Sequence, residues 1–173
     1  MRTMIFIDGS NLYHGLKSNL GRADIDFGAF CRTLTQARRG ELARIYYYNA
    51  PLNQVEEPDR YKEQQQFFAR LHNVPYLDLR LGRLEKRPSR KGSPYYVEKG
   101  VDVKIALDML RLAYANAYNM AILVSGDGDF ADVLEEVKRL GKHCHVAYFA
   151  KGHSNQLRQA ADTFIELTDD LLK

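Results

Sequence analysis

Cysteine is nearly absent: Cys31 and Cys144 are the only two in 173 residues. They form no metal-type spacing and imply no disulfide framework. Long hydrophobic runs are missing as well. None approaches the ~18 residues that span a bilayer, so no membrane partner is expected. The N-terminus lacks the pattern of a signal peptide, because Met1-Arg2-Thr3-Met4 leads straight into a short apolar run carrying Asp8. A reducing, cytoplasmic setting is the expectation. There is little excess of one charge: 25 Lys and Arg face 22 Asp and Glu, a net charge of +3. That balance proves no polyanion partner, and any such case rests on where the charges lie. No Ser-His-Asp arrangement and no P-loop lysine motif is legible. No repeat, linker or low-complexity segment divides the chain.

The composition is 45% hydrophobic and 27% charged, which predicts a folded core. The length favours one domain over 1–173. Oligomeric state stays open, a homo-oligomer included. Met4–Ile7, Ala43–Tyr48, Ala121–Val124, His143–Phe149 and Thr163–Leu167 read as strands, being short, apolar, β-branched or aromatic. Val74–Leu84 alternates polar and apolar residues, the pattern of a strand with one wet face. Leu12–Leu20, Phe27–Gln36, Asp59–Asn73, Val101–Tyr118 and Phe130–Leu140 read as helices, and a short one starts at Ser154 or Asn155. Strands alternating with helices predict βαβ units in an α/β fold, with a mostly parallel sheet and helices on both faces.

Four aspartates stand out. Asp8 follows the first strand, Asp127 and Asp129 follow Ala121–Val124 within Ser125-Gly126-Asp127-Gly128-Asp129, and Asp102 opens a helix. In a parallel sheet every strand's carboxyl end lies on one side, so all four can meet in one crevice. Crowded carboxylates repel one another unless a divalent cation sits among them. Oxygen-only ligands suit Mg²⁺ or Mn²⁺, which activate water against phosphodiesters. The bland alternative is that these acids only cap helices. Asp108 lies six residues beyond Asp102, ~120° around the helix axis, and reads as a structural hydrogen-bond partner. Asp132 reads as a helix-dipole charge.

The stretches Phe6-Ile7-Asp8-Gly9-Ser10-Asn11, Lys99-Gly100-Val101-Asp102-Val103 with Asp108, Ser125-Gly126-Asp127-Gly128-Asp129-Phe130 and Ala161-Asp162-Thr163-Phe164-Ile165 together resemble the NYN domains of the LabA-like group, a branch of the PIN-like nuclease superfamily. The resemblance covers nearly the whole chain. It implies a three-layer α/β/α sandwich and a Mg²⁺ or Mn²⁺ site formed by Asp8, Asp102, Asp127 and Asp129. It also implies metal-dependent RNA cleavage, with Asn11 and Ser125 as polar support.

Basic residues cluster at Arg80, Arg83, Lys86, Arg87, Arg90 and Lys91, in a strand and a loop over 86–94, with Tyr95 and Tyr96 next. Arg83, Lys86, Arg87, Arg90 and Lys91 are the candidate contacts to a single-stranded nucleic acid, through phosphates and stacked bases. The competing explanation is a loop kept soluble by its charge. Tyr46-Tyr47-Tyr48 reads as strand packing. His143 and His145 share a strand face, but no further His or Cys completes a metal site with them. His14 lies one turn beyond the first acidic motif.

The leading reading is a Mg²⁺- or Mn²⁺-dependent ribonuclease, endonucleolytic on single-stranded RNA. One alternative is a non-catalytic RNA- or protein-binding module on the same fold. Another is a phosphohydrolase of the haloacid dehalogenase kind. That group requires a second Asp two residues after the first, and this chain has Ser10 there.

Overall fold

The computed structural model describes residues 1–88, 92 and 94–172. The chain runs β1 (Arg2–Asp8), α1 (Gly9–Leu20), α2 (Phe27–Gln36), β2 (Glu41–Asn49), α3 (Pro58–Leu71) and β3 (Leu77–Leu81). A two-stranded excursion follows, β4 (Arg83–Arg87) and β5 (Tyr95–Lys99), and then α4 (Val101–Tyr114). The chain finishes with β6 (Met120–Val124), α5 (Ala131–Arg139), β7 (His143–Tyr148), α6 (Asn155–Ala160) and β8 (Thr163–Glu166). Six strands form one sheet in the order β3-β2-β1-β6-β7-β8, with every neighbouring pair parallel. The first half of the chain builds outward from β1 to β3. The second half starts again on the other side of β1, with β6, and builds outward to β8. The strand order therefore reverses between β1 and β6.

Both faces of the sheet are covered, which is why its strands read as apolar runs. In β1, Ile5 and Ile7 join a core with Leu12, Leu16, Phe30, Leu34, Phe68 and Leu71, from α1, α2 and α3. Met4 and Phe6 join the opposite core, with Ile105, Met109, Leu134, Val137 and Leu157 from α4, α5 and α6. This is the expected three-layer α/β/α sandwich. The tyrosine run obeys the same period of two: Tyr47 enters the first core, and Tyr46 and Tyr48 the second. Among the described residues no helix is long and apolar enough to cross a membrane.

Several boundaries differ from the sequence reading, three of them with a clear physical cause. Val74–Leu84 is not one strand: β3 ends at Leu81 and β4 pairs only with β5, antiparallel. Gly82 makes the break. Its N–H donates to Asn49 O at 2.7 Å, and a Cβ there would lie 2.8 Å from Lys99 O and 2.7 Å from Val101 Cγ2. The chain thus leaves the sheet at a close approach to the β5–α4 junction. Arg83–Arg87, partly assigned to a loop, is a strand. Finally, α4 stops at Tyr114 rather than Tyr118. Asn116 adopts a left-handed φ of 52°, and the buried Tyr118 turns back to donate its hydroxyl to Met109 O at 2.8 Å.

Candidate active site

The reversal between β1 and β6 opens a crevice at the strand carboxyl ends, the usual ligand position in an open parallel sheet. Ile7 and Val124 are register partners, so the turns that follow them face each other. Asp8 closes β1 and caps α1 at once: its Oδ1 accepts from Asn11 N at 3.1 Å. Its Oδ2 accepts from Ser125 Oγ at 3.2 Å, across the crevice. Ser125 Oγ in turn accepts from Asp127 N at 3.1 Å. Asn11 reaches across in the other direction, its Oδ1 accepting from Gly126 N at 2.9 Å. The two turns are therefore tied by side chains of Asp8, Asn11 and Ser125. Asp127 caps the next turn, its Oδ1 accepting from Asp129 N at 3.0 Å. Capping and convergence on the crevice occur in the same aspartates.

A cavity of about 500 Å³ lies here, lined by Asp8, Asn11, Asp102, Asp127, Lys99 and Tyr148 among others. Three of the four aspartates singled out in the sequence therefore face one space. The fourth, Asp129, is not in its wall, although its charge acts on Asp102. Ser125 is fully buried beneath, and His14 joins the wall. Asp108 is elsewhere, accepting from Tyr48 OH at 3.0 Å and pairing with Arg111 and Arg80. Asp132 lies in the first turn of α5. His145 Nδ1 is 2.7 Å from Thr163 Oγ1, a bond between neighbouring strands.

Sequence reasoning missed Tyr148, the last residue of β7. Its hydroxyl donates to Asn11 O at 3.0 Å, and burial, then the charge of Asp8, pushes that hydroxyl up to about 12. It stays protonated and acts as a donor. The available signal was position: Tyr148 is a polar residue at the carboxyl end of a strand, the side of the sheet on which the crevice lies. The ring of Tyr148 also explains Gly126. A Cβ on Gly126 would lie 2.5 Å from that ring and 2.7 Å from Gly152 O.

The donor set is all oxygen, which fits Mg²⁺ or Mn²⁺. Among the described residues, no three carboxylate, imidazole or thiolate side chains draw close enough to enclose a metal ion by themselves. Mg²⁺ takes one or two carboxylates and keeps several waters, so the open arrangement accommodates it. Asp102 shows the strain of crowding. It is exposed by surface area, yet its carboxyl is raised above the usual range, first by burial at the cavity wall, then by Asp127 and Asp129. No hydrogen-bond donor to it is found among the described residues.

Arg83, Lys86 and Arg87 sit on β4, which pairs with β5. Arg83 is the register partner of Lys99, and Arg87 of Tyr95. Cross-strand partners share a face, so Arg83, Arg87, Lys99 and Tyr95 lie together, and Lys99 carries that face to the acidic cavity. Strand alternation puts Lys86 on the opposite face with Leu84, apart from the other two. Arg90 and Lys91 lie outside the described residues. Arg80 is committed to Asp108 and to the Tyr46 ring, 5.4 Å away.

Two outcomes follow. Gly126→Ala forces a Cβ against a packed ring and a backbone oxygen, so it is expected to destabilise the chain by about 1–3 kcal/mol. Thermal unfolding should show a Tm roughly 2–12 °C lower. For Asp102, a raised carboxyl pKa means that the folded state holds this proton more tightly than the unfolded state. The penalty is absent at acid pH, grows as pH rises through the usual carboxylate range, and is complete above the raised value. In chelator, Asp102→Asn should therefore match or exceed the parent's stability at pH 7 and lose that advantage near pH 3. A variant less stable at pH 7 would refute the crowding.

Comparison with known proteins agrees with this geometry. The chain is 26% identical over 168 residues to the low amplitude and bright protein LabA of Synechococcus elongatus, covering 97% of this chain and 84% of that one. A crystal structure of a protein of unknown function from Vibrio parahaemolyticus has the same fold, with a TM-score of 0.73 and 25% identity. That match covers 99% of this chain and 96% of the other. The model of the NYN domain, a PIN-like nuclease family, matches residues 2–168, taking in every acidic turn described above. With that match spanning nearly its whole length, the chain belongs to the NYN domain family.

Proposed function

We propose that the chain hydrolyses phosphodiester bonds in single-stranded RNA, using Mg²⁺ or Mn²⁺ bound among Asp8, Asp102 and Asp127, by one or two of them directly and by the rest through water. The observation that carries this reading is that these three carboxylates, from three separate stretches, line one cavity at the point where the strand order reverses. When bound, the cation would polarise the phosphodiester and activate water. Asp8 would present oxygens oriented by Asn11 N and Ser125 Oγ. Asn11 and Tyr148 would hold the two turns at fixed separation. Lys99 would bring positive charge to the phosphate from the wall of the same cavity. Asp129 would act at one remove, through its N–H on Asp127 and its charge on Asp102. The hairpin face bearing Arg83 and Arg87 would take the flanking phosphates. The binding-module alternative draws on the openness of the acidic site, where no three side chains enclose an ion among the described residues.

The test pairs thermal unfolding with cleavage of a labelled single-stranded RNA. Saturating Mn²⁺, at ~100 times its Kd, should stabilise the parent by about 2.7 kcal/mol. Asp8→Asn, Asp102→Asn and Asp127→Asn should each lose much of that gain and cut at least ~10-fold more slowly. Asp132→Asn should keep both. If Asp127→Asn kept full metal stabilisation and full cleavage, the acidic site would be abandoned. Normal metal binding with no RNA ever cut would favour the binding module.

The hairpin has its own readout. RNA affinity should fall with salt, by roughly 0.7 in log–log slope for each phosphate neutralised. Replacing Arg83 and Arg87 with Ala should flatten the slope by about 1.4 if each contacts one phosphate, and leave Mn²⁺ stabilisation unchanged. An unaltered slope would reduce these residues to solubilising charge.

A further inference from the structure

A second, larger cavity adjoins the acidic one. It has a volume of about 700 Å³ and lies between α1, the start of α2 and α3. Ser10 and His14 belong to the walls of both cavities, so the two spaces adjoin there. Its size is in the ~300–1,000 Å³ range of ordinary ligand sites. Its chemistry differs from that of its neighbour. Tyr13, Phe27, Tyr47 and Phe67 give an aromatic lining, and four cations, Lys17, Arg22, Arg60 and Arg70, share the wall with two acids, Asp24 and Glu63; Arg22 is paired with Asp24 and Asp169, and Arg60 with Glu57. Two of the cations lie near rings: Lys17 is 6.0 Å from the Tyr13 centroid and Arg70 5.9 Å from that of Phe67. The wall is also pinned in place. Gln64 Oε1 accepts from Leu52 N at 2.8 Å, and its Nε2 donates to Ala50 O at 3.0 Å, fixing the loop after β2 to α3.

We infer that this cavity receives an unpaired base of the nucleotide beside the phosphodiester held in the acidic cavity. The inference rests on the proposed function for its location next to the bond that is cut. An aromatic interior with a cationic rim is the chemistry of a base and its phosphate, and stacking on side chains is how single strands are held without duplex contacts. The two cavities share a wall at Ser10 and His14, as adjacent subsites for adjoining units of one chain must. A base enters a recess between helices only when it is out of the stack. The cavity therefore selects single strands over duplexes, and it places a base requirement on one side of the cut.

The test uses the full chain and a labelled single-stranded RNA through which one abasic residue is moved, position by position. Cleavage should drop roughly five-fold or more at the bond with the abasic residue at one fixed offset, and hold elsewhere. Tyr13 is exposed, so its removal is expected to cost little stability. In chelator, Tyr13→Ala and Lys17→Ala should each weaken binding of the intact strand by fluorescence anisotropy, with Tm and the Mn²⁺ shift retained. Tyr13→Ala should make no further difference once the strand is abasic at the sensitive offset. Equal cleavage wherever the abasic residue lies, or unchanged binding in both variants, would overturn the base pocket while leaving the nuclease reading intact. A parent that binds and cuts no strand at all would overturn both.

Discussion

The parallel pairing of β1 with β6 is the constraint on which the rest depends. The two strands are distant in sequence, yet five register partners, from Thr3 with Met120 to Ile7 with Val124, hold them side by side. The pairing is forced by burial on both faces: a one-residue slip would move Ile5 and Ile7 into the core that Met4 and Phe6 fill. With the register fixed, the turns after the two strands must meet. Asp8, Ser125 and Asp127 come together because the hydrophobic pattern excludes a one-residue slip and the bonds from Ser125 Oγ to Asp8 and from Gly126 N to Asn11 tie the turns in this register.

Bringing acids together costs free energy, and the local bonding shows how the fold bears it. Asp8 accepts from a backbone N–H at the start of α1 and from the Ser125 hydroxyl, and Asp127 accepts from the N–H of Asp129. Donors at the starts of helical turns favour negative charge there. Capping and site-building are therefore the same physical act at these two positions. Asp102 is different: it sits in the first turn of α4 after a left-handed Gly100, and burial, then the neighbouring acids, raise its carboxyl.

The strand–acid–glycine grammar after β1 and β6 was legible because it is local: an apolar run, a turn residue and a cap lie within ten residues of each other. The three layers followed from the alternation of strands and helices. The split of Val74–Leu84 was not legible, because Gly82 is required by Lys99 and Val101, which are remote in sequence. Tyr148 escaped for the same reason, since its partner Asn11 is 137 residues away. That Lys86 lies on the other face of β4 from Arg83 and Arg87 was not legible, because a loop reading carries no alternation and a strand does. The larger cavity has no sequence signature at all. Its walls come from α1, α2, α3 and the end of β2, and no one segment carries enough of it to be noticed.

The β4–β5 hairpin links these features mechanically. Leu84, on one of its faces, packs against the core and lines the larger cavity, and Lys99, at its end, lines the acidic one. Its last strand runs into α4 through Gly100, at a φ of 81°, so the hairpin's exit sets where α4 begins and where Asp102 stands. The pairing of Arg83 with Lys99 closes the base of the hairpin at that exit. A polyanion gripped by Arg83 and Lys99 would thus pull on the same short segment that positions Asp102. On the proposed reading, substrate contact and the third carboxylate lie on one short segment, Lys99 to Asp102. Gly82 lets the hairpin start within van der Waals reach of its own end, at that segment.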